Sequence, residues 1–264
     1  EVAKLALIVW MAATIAGKGA KLDRPSEGLV PLLTVPGVMA LLLLLQPDFK
    51  GASLLLFFAW TMLFLGGVRL RYLGAIAGAA LPVGIVVLVA EPYRLRRLMS
   101  FVDRGEDLLG VSYQIHQSLI SLGSGGWFGV GLGSSKQKFA FLPAAHNDFI
   151  YSIIGEELGL LGALAVLLAF LWFGWLGLQV ARRAPDAFGF LLASGITLLV
   201  VVSALVNIGV ATAALPTTGL TLPFISHGGT SLIVQLAAVG ILLSVSRDSV
   251  EDTPRRSYEG GGWW

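Results

Sequence analysis

The sequence predicts an all-α polytopic membrane protein, a helical bundle of about seven transmembrane segments carrying one long loop. Three observations lead there. Charged residues make up 13% of the 264 residues, against roughly 25% in soluble domains. Apolar residues reach 56% and mean hydropathy is +0.81, so the chain owns too little polar surface to cover a water-soluble fold of this size. The apolar runs lack the period-two alternation of a barrel wall, and an open sheet cannot satisfy its backbone in hydrocarbon, which leaves helices.

Seven uninterrupted apolar stretches are long enough to be spans, near 1–17, 28–46, 51–68, 72–90, 149–181, 187–214 and 228–246. The first is helical in pattern from Glu1 onward and has neither the basic start nor the cleavage site of a signal peptide; without an initiator methionine, it reads as preceded by further residues. The second and third flank a Gln46-Pro47-Asp48-Phe49-Lys50 turn, and the fourth follows a turn holding Arg69 and Arg71. The fifth opens at Asp148 and ends before Arg182 and Arg183, and the seventh follows a turn rich in Pro, Gly and Thr at 215–227. Gly, Ala, Ser and Thr within several spans permit close helix packing. The expected organisation is one transmembrane domain over 1–250, with a loop at 91–147, and a polar then Gly-rich tail at 251–264 that reads as disordered and is given no function.

Lys and Arg in short loops stay on the cytoplasmic side. Lys18, Lys21 and Arg24, the Arg69/Arg71 turn, Arg182/Arg183, and Arg247, Arg255 and Arg256 all fall on one side of the seven spans, which places the C-terminus in the cytoplasm. The 91–147 loop then faces outward. At about 57 residues it is long enough to be functional, and its amphipathic stretches at 93–102 and 113–122 (Ile115, Leu119, Ile120, Leu122), with the glycine-rich run 123–133, read as short interfacial helices over the outer mouth of the bundle.

Several chemistries are excluded. No cysteine means no disulfide, iron–sulfur cluster or thiolate zinc, and a net charge of +2 spread along the chain gives no footprint for nucleic acid. Residues 131–138 miss the spacing of a phosphate loop and follow no strand, no G-x-S-x-G elbow is present, and His116, His146 and His227 lack a spacing such as H-E-x-x-H. His146-x-Asp148 leaves a loose metal possibility open.

Ionisable groups at membrane depth are costly and so are candidates for function. Asp148 is the foremost: it can cap the fifth span, or act as a catalytic carboxylate, and the two roles are compatible. At 100° per residue Glu157 falls opposite Asp148 and Glu156 about 80° away, so neither forms a carboxylate pair with it; contacts to a neighbouring backbone or basic residue are the preferred reading for both. Glu1 and Lys4, three apart, suit an ion pair inside the bundle or at a helix end. Arg94 and Arg97 share a helical face at the outer surface, where guanidinium forks suit a pyrophosphate or lipid headgroups. The 215–231 segment, with two prolines and small hydroxyl residues, breaks the helix at membrane depth and marks a cavity wall at Ser226 and His227.

Together these segments resemble the SEDS family of bacterial cell-wall polymerases, from Glu1 to about Ser246. The pieces are Glu1-x-x-Lys4-Leu5, Gln46-Pro47-Asp48, Tyr93-Arg94-x-x-Arg97, Gly110-x-x-Tyr113-Gln114, Gly129-x-Gly131-x-Gly133-x-Ser135-x-Gln137-Lys138, Leu142-Pro143-x-x-His146-x-Asp148, Glu156-Glu157-Leu158-Gly159 and Pro216-Thr217-x-Gly219-x-x-Leu222-Pro223-Phe224-x-Ser226-x-Gly228-Gly229. The Leu-Pro-Phe-Ile-Ser form of the last motif and residues 64–72 are closer to the division-type FtsW branch than to the elongation-type RodA branch. Lys50, Ala144 and His227 depart from the family's usual residues.

The resemblance implies a fold of ten transmembrane helices, of which this chain would hold the last seven. It implies a peptidoglycan glycosyltransferase of the bacterial cytoplasmic membrane that polymerises lipid II, the undecaprenyl-pyrophosphate-linked disaccharide pentapeptide, for cell division or shape. Asp148 stands at the family's catalytic aspartate, with Glu1 and Lys4 in the central cavity. Arg94 and Arg97, with Lys136, Lys138 or a divalent cation (Mg or Mn), would stabilise the pyrophosphate leaving group; His146, Glu156, Ser226 and His227 complete the expected cavity. No organic cofactor is expected, and the expected partners are a class B penicillin-binding transpeptidase and other divisome or elongasome membrane proteins. The rival is a lipid II flippase or another transporter, which buried charges and broken helices would also suit.

Overall fold

The protein is described by a computed structural model covering residues 1–19, 22, 28–91, 111–135 and 148–259, with the backbone alone at 111–112 and 249–259. Among the described residues there are eight helices and no strand: α1 (Val2–Lys18), α2 (Val30–Leu45), α3 (Phe49–Leu65), α4 (Leu70–Val89), α5 (Val111–Ser124), α6 (Ile150–Arg183), α7 (Ala187–Ala211) and α8 (Gly229–Glu259). All seven apolar stretches are helical, and α5 falls on the amphipathic stretch at 113–122. Four segments, α4, α6, α7 and the Gly229–Asp248 part of α8, are long and apolar enough to cross a membrane, while α2 and α3 are shorter apolar helices. Prolines inside α2 (Pro36) and α4 (Pro82) fit such helices, whose freed backbone groups neighbours can satisfy. The α8 backbone runs past the expected end at 246 and through 251–259 of the expected tail.

The chain clusters into two compact units, each of discontinuous segments: Glu1–Ala77, Phe173–Leu199 and Ile233–Trp264 in the first, Gly78–Trp172 and Val200–Leu232 in the second. In the first, α1, α2 and α3 pack on one another. Their buried faces follow helical spacing, with Leu7, Ile8, Met11, Ala12 and Ile15 on α1 and Leu55, Phe58, Ala59, Met62 and Leu63 on α3. Gly195 of α7 lies where a Cβ would overlap Ile8 and Met62, so a small residue sets that approach. The Asp48 carboxylate caps α3 by accepting from Gly51 N at 3.0 Å, and Asp186 does the same for Gly189 N at 2.7 Å at the start of α7.

The second unit is organised by a break in α6. Gly159 has φ 70° and ψ −169°, so the helix is interrupted there. The glycine-rich turn after α5 replaces the interrupted ladder: Val130 N donates to Glu156 O at 3.0 Å and Gly131 N to Glu157 O at 3.1 Å, while Leu160 N and Leu161 N donate to Gly126 O (2.9 Å) and Trp127 O (3.3 Å). Backbone groups that a helix would pair internally are paired with the turn instead, as burial away from water requires. Such contact needs glycine on both sides. A Cβ on Gly129 (φ 80°) would overlap the Glu157 carbonyl, and one on Gly159 would overlap Gly129 N.

Gly129→Ala is expected to destabilise the protein by about 2 kcal/mol or more, since the obstructing atoms are backbone and the φ is unfavourable for alanine. Gly74→Ala, with open space around its Cβ within a helix, is expected to be neutral or slightly stabilising; thermal unfolding of both variants in detergent checks the contrast.

Candidate functional site

The site is built where α6 begins. Phe149 O accepts from Ser152 N and Ile153 N, so the first helical carbonyl belongs to Phe149 and Asp148 stands one residue before the cap position expected of it. Asp148 is half-buried. Beneath it Phe149, Ile153 and Val210 form a small apolar cluster with Ile150 against it, which seats the helix start on the end of α7.

Asn207 holds this region in register. Its side chain is 1% exposed, and its Nδ2 donates to Asp148 O at 3.0 Å and to Leu220 O at 2.5 Å. One amide therefore ties the main chain at Asp148 to the irregular 212–228 segment. That segment departs from helix as its sequence foretells: Gly219 has φ 65°, and Ala213 and Phe224 take positive φ at 54° and 63°. Ser226 Oγ accepts from Leu222 N at 2.7 Å, closing a turn, so the Ser226 hydroxyl acts on the segment's own backbone.

An open cleft of about 450 Å³ lies against this arrangement, lined by Ile150 together with residues 224–229 and Leu232. Ser226 and His227 line this cleft, and the His227 side chain is exposed.

Glu156 belongs to a different cluster. It is 3% exposed, and its Oε2 accepts from Ser121 Oγ at 3.0 Å and Ser135 Oγ at 2.6 Å. The contact expected of it, to a backbone group or a basic residue, is here made to hydroxyls. The Ser121 hydroxyl proton is shared with Ser152 O at 3.0 Å, while Ser118 donates to Ala211 O at 2.7 Å and accepts from Ser152 Oγ at 2.5 Å. The inward face of α5 is therefore Ile115, Ser118 and Ser121, and Leu119 and Ile120 of the expected apolar face point outward. Carbonyls on α6 and α7 and a carboxylate on α6 accept from hydroxyls at that position, so polar side chains share the buried face with Ile115. Glu157 Oε1 is buried with no hydrogen-bond partner among the described residues.

Glu1 and Lys4 form an ion pair at 2.6 Å in the first unit, with the Lys4 side chain 10% and the Glu1 side chain 25% exposed, so the pair is internal on the lysine side. Arg94, Arg97, Lys136, Lys138 and His146 lie outside the described residues. Sequence reasoning missed Asn207 and the buried serines; the three-residue spacing of Ser118 and Ser121 was the available signal, whereas Asn207 sits in an apolar run with no motif around it.

A family model described as cell cycle protein, FtsW/RodA/SpoVE, matches residues 1–251. The chain belongs to the FtsW/RodA/SpoVE family. Among its relatives are proteins named probable peptidoglycan glycosyltransferase FtsW from Thioalkalivibrio sulfidiphilus, 42% identical over 97% of this chain and 65% of the relative, and from Marinobacter nauticus, 44% identical over 99% and 66%. Stage V sporulation protein E of Bacillus subtilis is 39% identical over 94% of this chain and 68% of its own length. A chain from a structure of a peptidoglycan synthase complex that coordinates polymerization and crosslinking superposes with a TM-score of 0.71 at 30% identity, over 93% of this chain and 68% of that one. The chain spans about two thirds of the length of these FtsW relatives. Family membership and the long apolar helices make this a multi-pass, all-α membrane protein.

Glu156→Ala is expected to cost about 1–3 kcal/mol, because it removes a buried acceptor of the Ser121 and Ser135 hydroxyls, whereas Glu156→Gln keeps an acceptor oxygen and is expected to cost less. Thermal unfolding of the two variants side by side measures the difference.

Proposed function

We propose that this chain carries the polymerising site of a peptidoglycan glycosyltransferase, which joins lipid II into glycan strands at the outer face of the bacterial cytoplasmic membrane. The C-terminus lies in the cytoplasm, and a class B penicillin-binding transpeptidase is the working partner, alongside other membrane proteins of division or elongation. Support for the activity comes from the names of the FtsW relatives, and for the partner from the peptidoglycan synthase complex that contains the structural relative.

The observation that carries the site is the setting of Asp148: a carboxylate at the mouth of α6, its main chain fastened by Asn207 to the irregular segment that lines the adjoining cleft. In the proposed step the Asp148 carboxylate takes the proton of the acceptor sugar's 4-hydroxyl as that oxygen attacks the anomeric carbon of the donor. The new glycosidic C–O bond forms as the bond from the anomeric carbon to the phosphate oxygen breaks, and the electron pair leaves with the lipid pyrophosphate. Arg94, Arg97, Lys136 and Lys138 are the cations of this sequence suited to that negative charge. A divalent cation would serve the same charge; among the described residues no three His, Asp or Glu side chains converge to hold one, and no step is routed through it. The Glu1–Lys4 ion pair places opposite charges against each other on one face of α1.

The test is glycan-chain formation from labelled lipid II by the full-length protein with its transpeptidase, transpeptidation being blocked by a β-lactam. Polymer is expected from the native protein, and Asp148→Asn, which preserves shape but cannot accept the proton, is expected to lower the rate by at least about 10²-fold. Polymer made equally well by Asp148→Asn contradicts the assignment of the carboxylate. Absence of polymer from folded, partner-bound native protein, together with lipid II translocation in vesicles, replaces the polymerase with a flippase.

A further inference from the structure

The turn that clasps α6 ends in an apolar tip. Trp127 is 67% exposed, Phe128 83% and Leu132 77%, with Val130 between them. Gly126, Gly129, Gly131 and Gly133 all have positive φ, and from 129 onward they alternate with the projecting residues. The backbone thus lies along α6 while its large side chains point away from it.

Four backbone hydrogen bonds hold this turn at the level of residues 156–161 of α6, so its height is set by that helix. From Leu158 to Ala181 the sequence has no charged residue, and charge begins at once on either side, with Glu156 and Glu157 before and Arg182 and Arg183 after. At 1.5 Å per residue that run of about 24 residues is roughly 36 Å long, which spans a hydrocarbon core of about 30 Å and reaches into the interface at each end. Gly159 is at the end of the run away from Arg182. The clasped turn is therefore level with a boundary between hydrocarbon and headgroups, where Trp and its amphipathic ring are favoured.

We infer that residues 127–132 form a membrane-interface anchor, in which Trp127, Phe128 and Leu132 enter the leaflet at the end of α6 opposite Arg182 and Arg183. The occupant of this apolar surface is the lipid of that leaflet. Polarity agrees: the tip itself carries no charged side chain, and its attachment is at Glu156 and Glu157, the last charged residues before the apolar run of α6. The anchor explains why an exposed Trp-Phe pair stands on a turn whose glycines are committed to packing against α6. By fixing the turn to the interface it also fixes the level of the break, and with it the depth of the helix start at Ile150.

These 264 residues hold no cysteine, and with any cysteine elsewhere in the full-length protein replaced by serine, single cysteines can be placed without background. Phe128→Cys and Leu132→Cys, both at exposed positions, are spin-labelled in the full-length protein in phospholipid nanodiscs, with Asp186→Cys in the α6–α7 turn as an aqueous reference. Collision with oxygen and with a water-soluble nickel chelate is read by power saturation. Labels at 128 and 132 are expected to collide more with oxygen than with the chelate, and the label at 186 the reverse. Greater access to the chelate at both 128 and 132 places the tip in water and overturns the inference. Low access to both reagents means another protein segment covers the tip and overturns it equally. Because each position is read separately, failure of one variant to fold leaves the other to decide.

Discussion

The exchange of backbone hydrogen bonds between the broken α6 and the turn after α5 is the constraint on which the second unit depends. A helix interrupted at the edge of an apolar span, where a second backbone packs over the break, leaves amides and carbonyls that water cannot reach, at a cost of several kcal/mol for each group left unpaired. Here Glu156 O and Glu157 O, which would have bonded Leu160 N and Leu161 N, bond the turn, and those two amides bond the turn in reverse. The exchange is possible only where two backbones approach within van der Waals contact, which is why Gly125, Gly129 and Gly159 meet there. Helix break and glycine turn are thus one feature, and neither is stable without the other.

That clasp organises the polar interior beside it. With α5 and its turn drawn onto α6, the serines of α5 reach Ser152 and Glu156, and Ser135 closes over the same carboxylate. A buried network of this kind is stabilising only when its members are satisfied, and the hydroxyls at 118, 121 and 135 each have a partner. On the far side of the same helix start, Asn207 binds the carbonyls of Asp148 and Leu220. The beginning of α6 is therefore held from two sides by groups that are themselves buried. The main chain that carries the Asp148 carboxylate is thereby fixed in place.

Much of this was legible in the sequence because lipid imposes strong rules. Long apolar runs located the seven helices other than α5 among the described residues, and the Pro- and Gly-rich stretch at 215–227 announced irregular backbone. The break at Gly159 was hidden because Gly155, Gly159 and Gly162 all stand near the start of the span and glycine alone does not say which of them leaves the helix. Its cause lies some thirty residues earlier, in the glycines that pair with it. The polar part of the buried face of α5 escaped notice because buried hydroxyls bonded to carbonyls behave as interior groups while counting as polar in any periodicity. Asn207 escaped notice because a single amide in an apolar helix has no pattern, only partners, and those come from Asp148 and Leu220, far from it in sequence or across a turn.

Hydrogen–deuterium exchange of the full-length protein in nanodiscs, resolved to the segments 126–131 and 156–161, tests the clasp most directly. If the turn and the broken helix are one hydrogen-bonded unit, the amides of Val130 and Gly131 exchange as slowly as those of Leu160 and Leu161, and a perturbation that opens one pair opens the other. Fast exchange at Val130 and Gly131 alongside full protection of Leu160 and Leu161 would mean that α6 satisfies its own backbone, and the clasp would not exist.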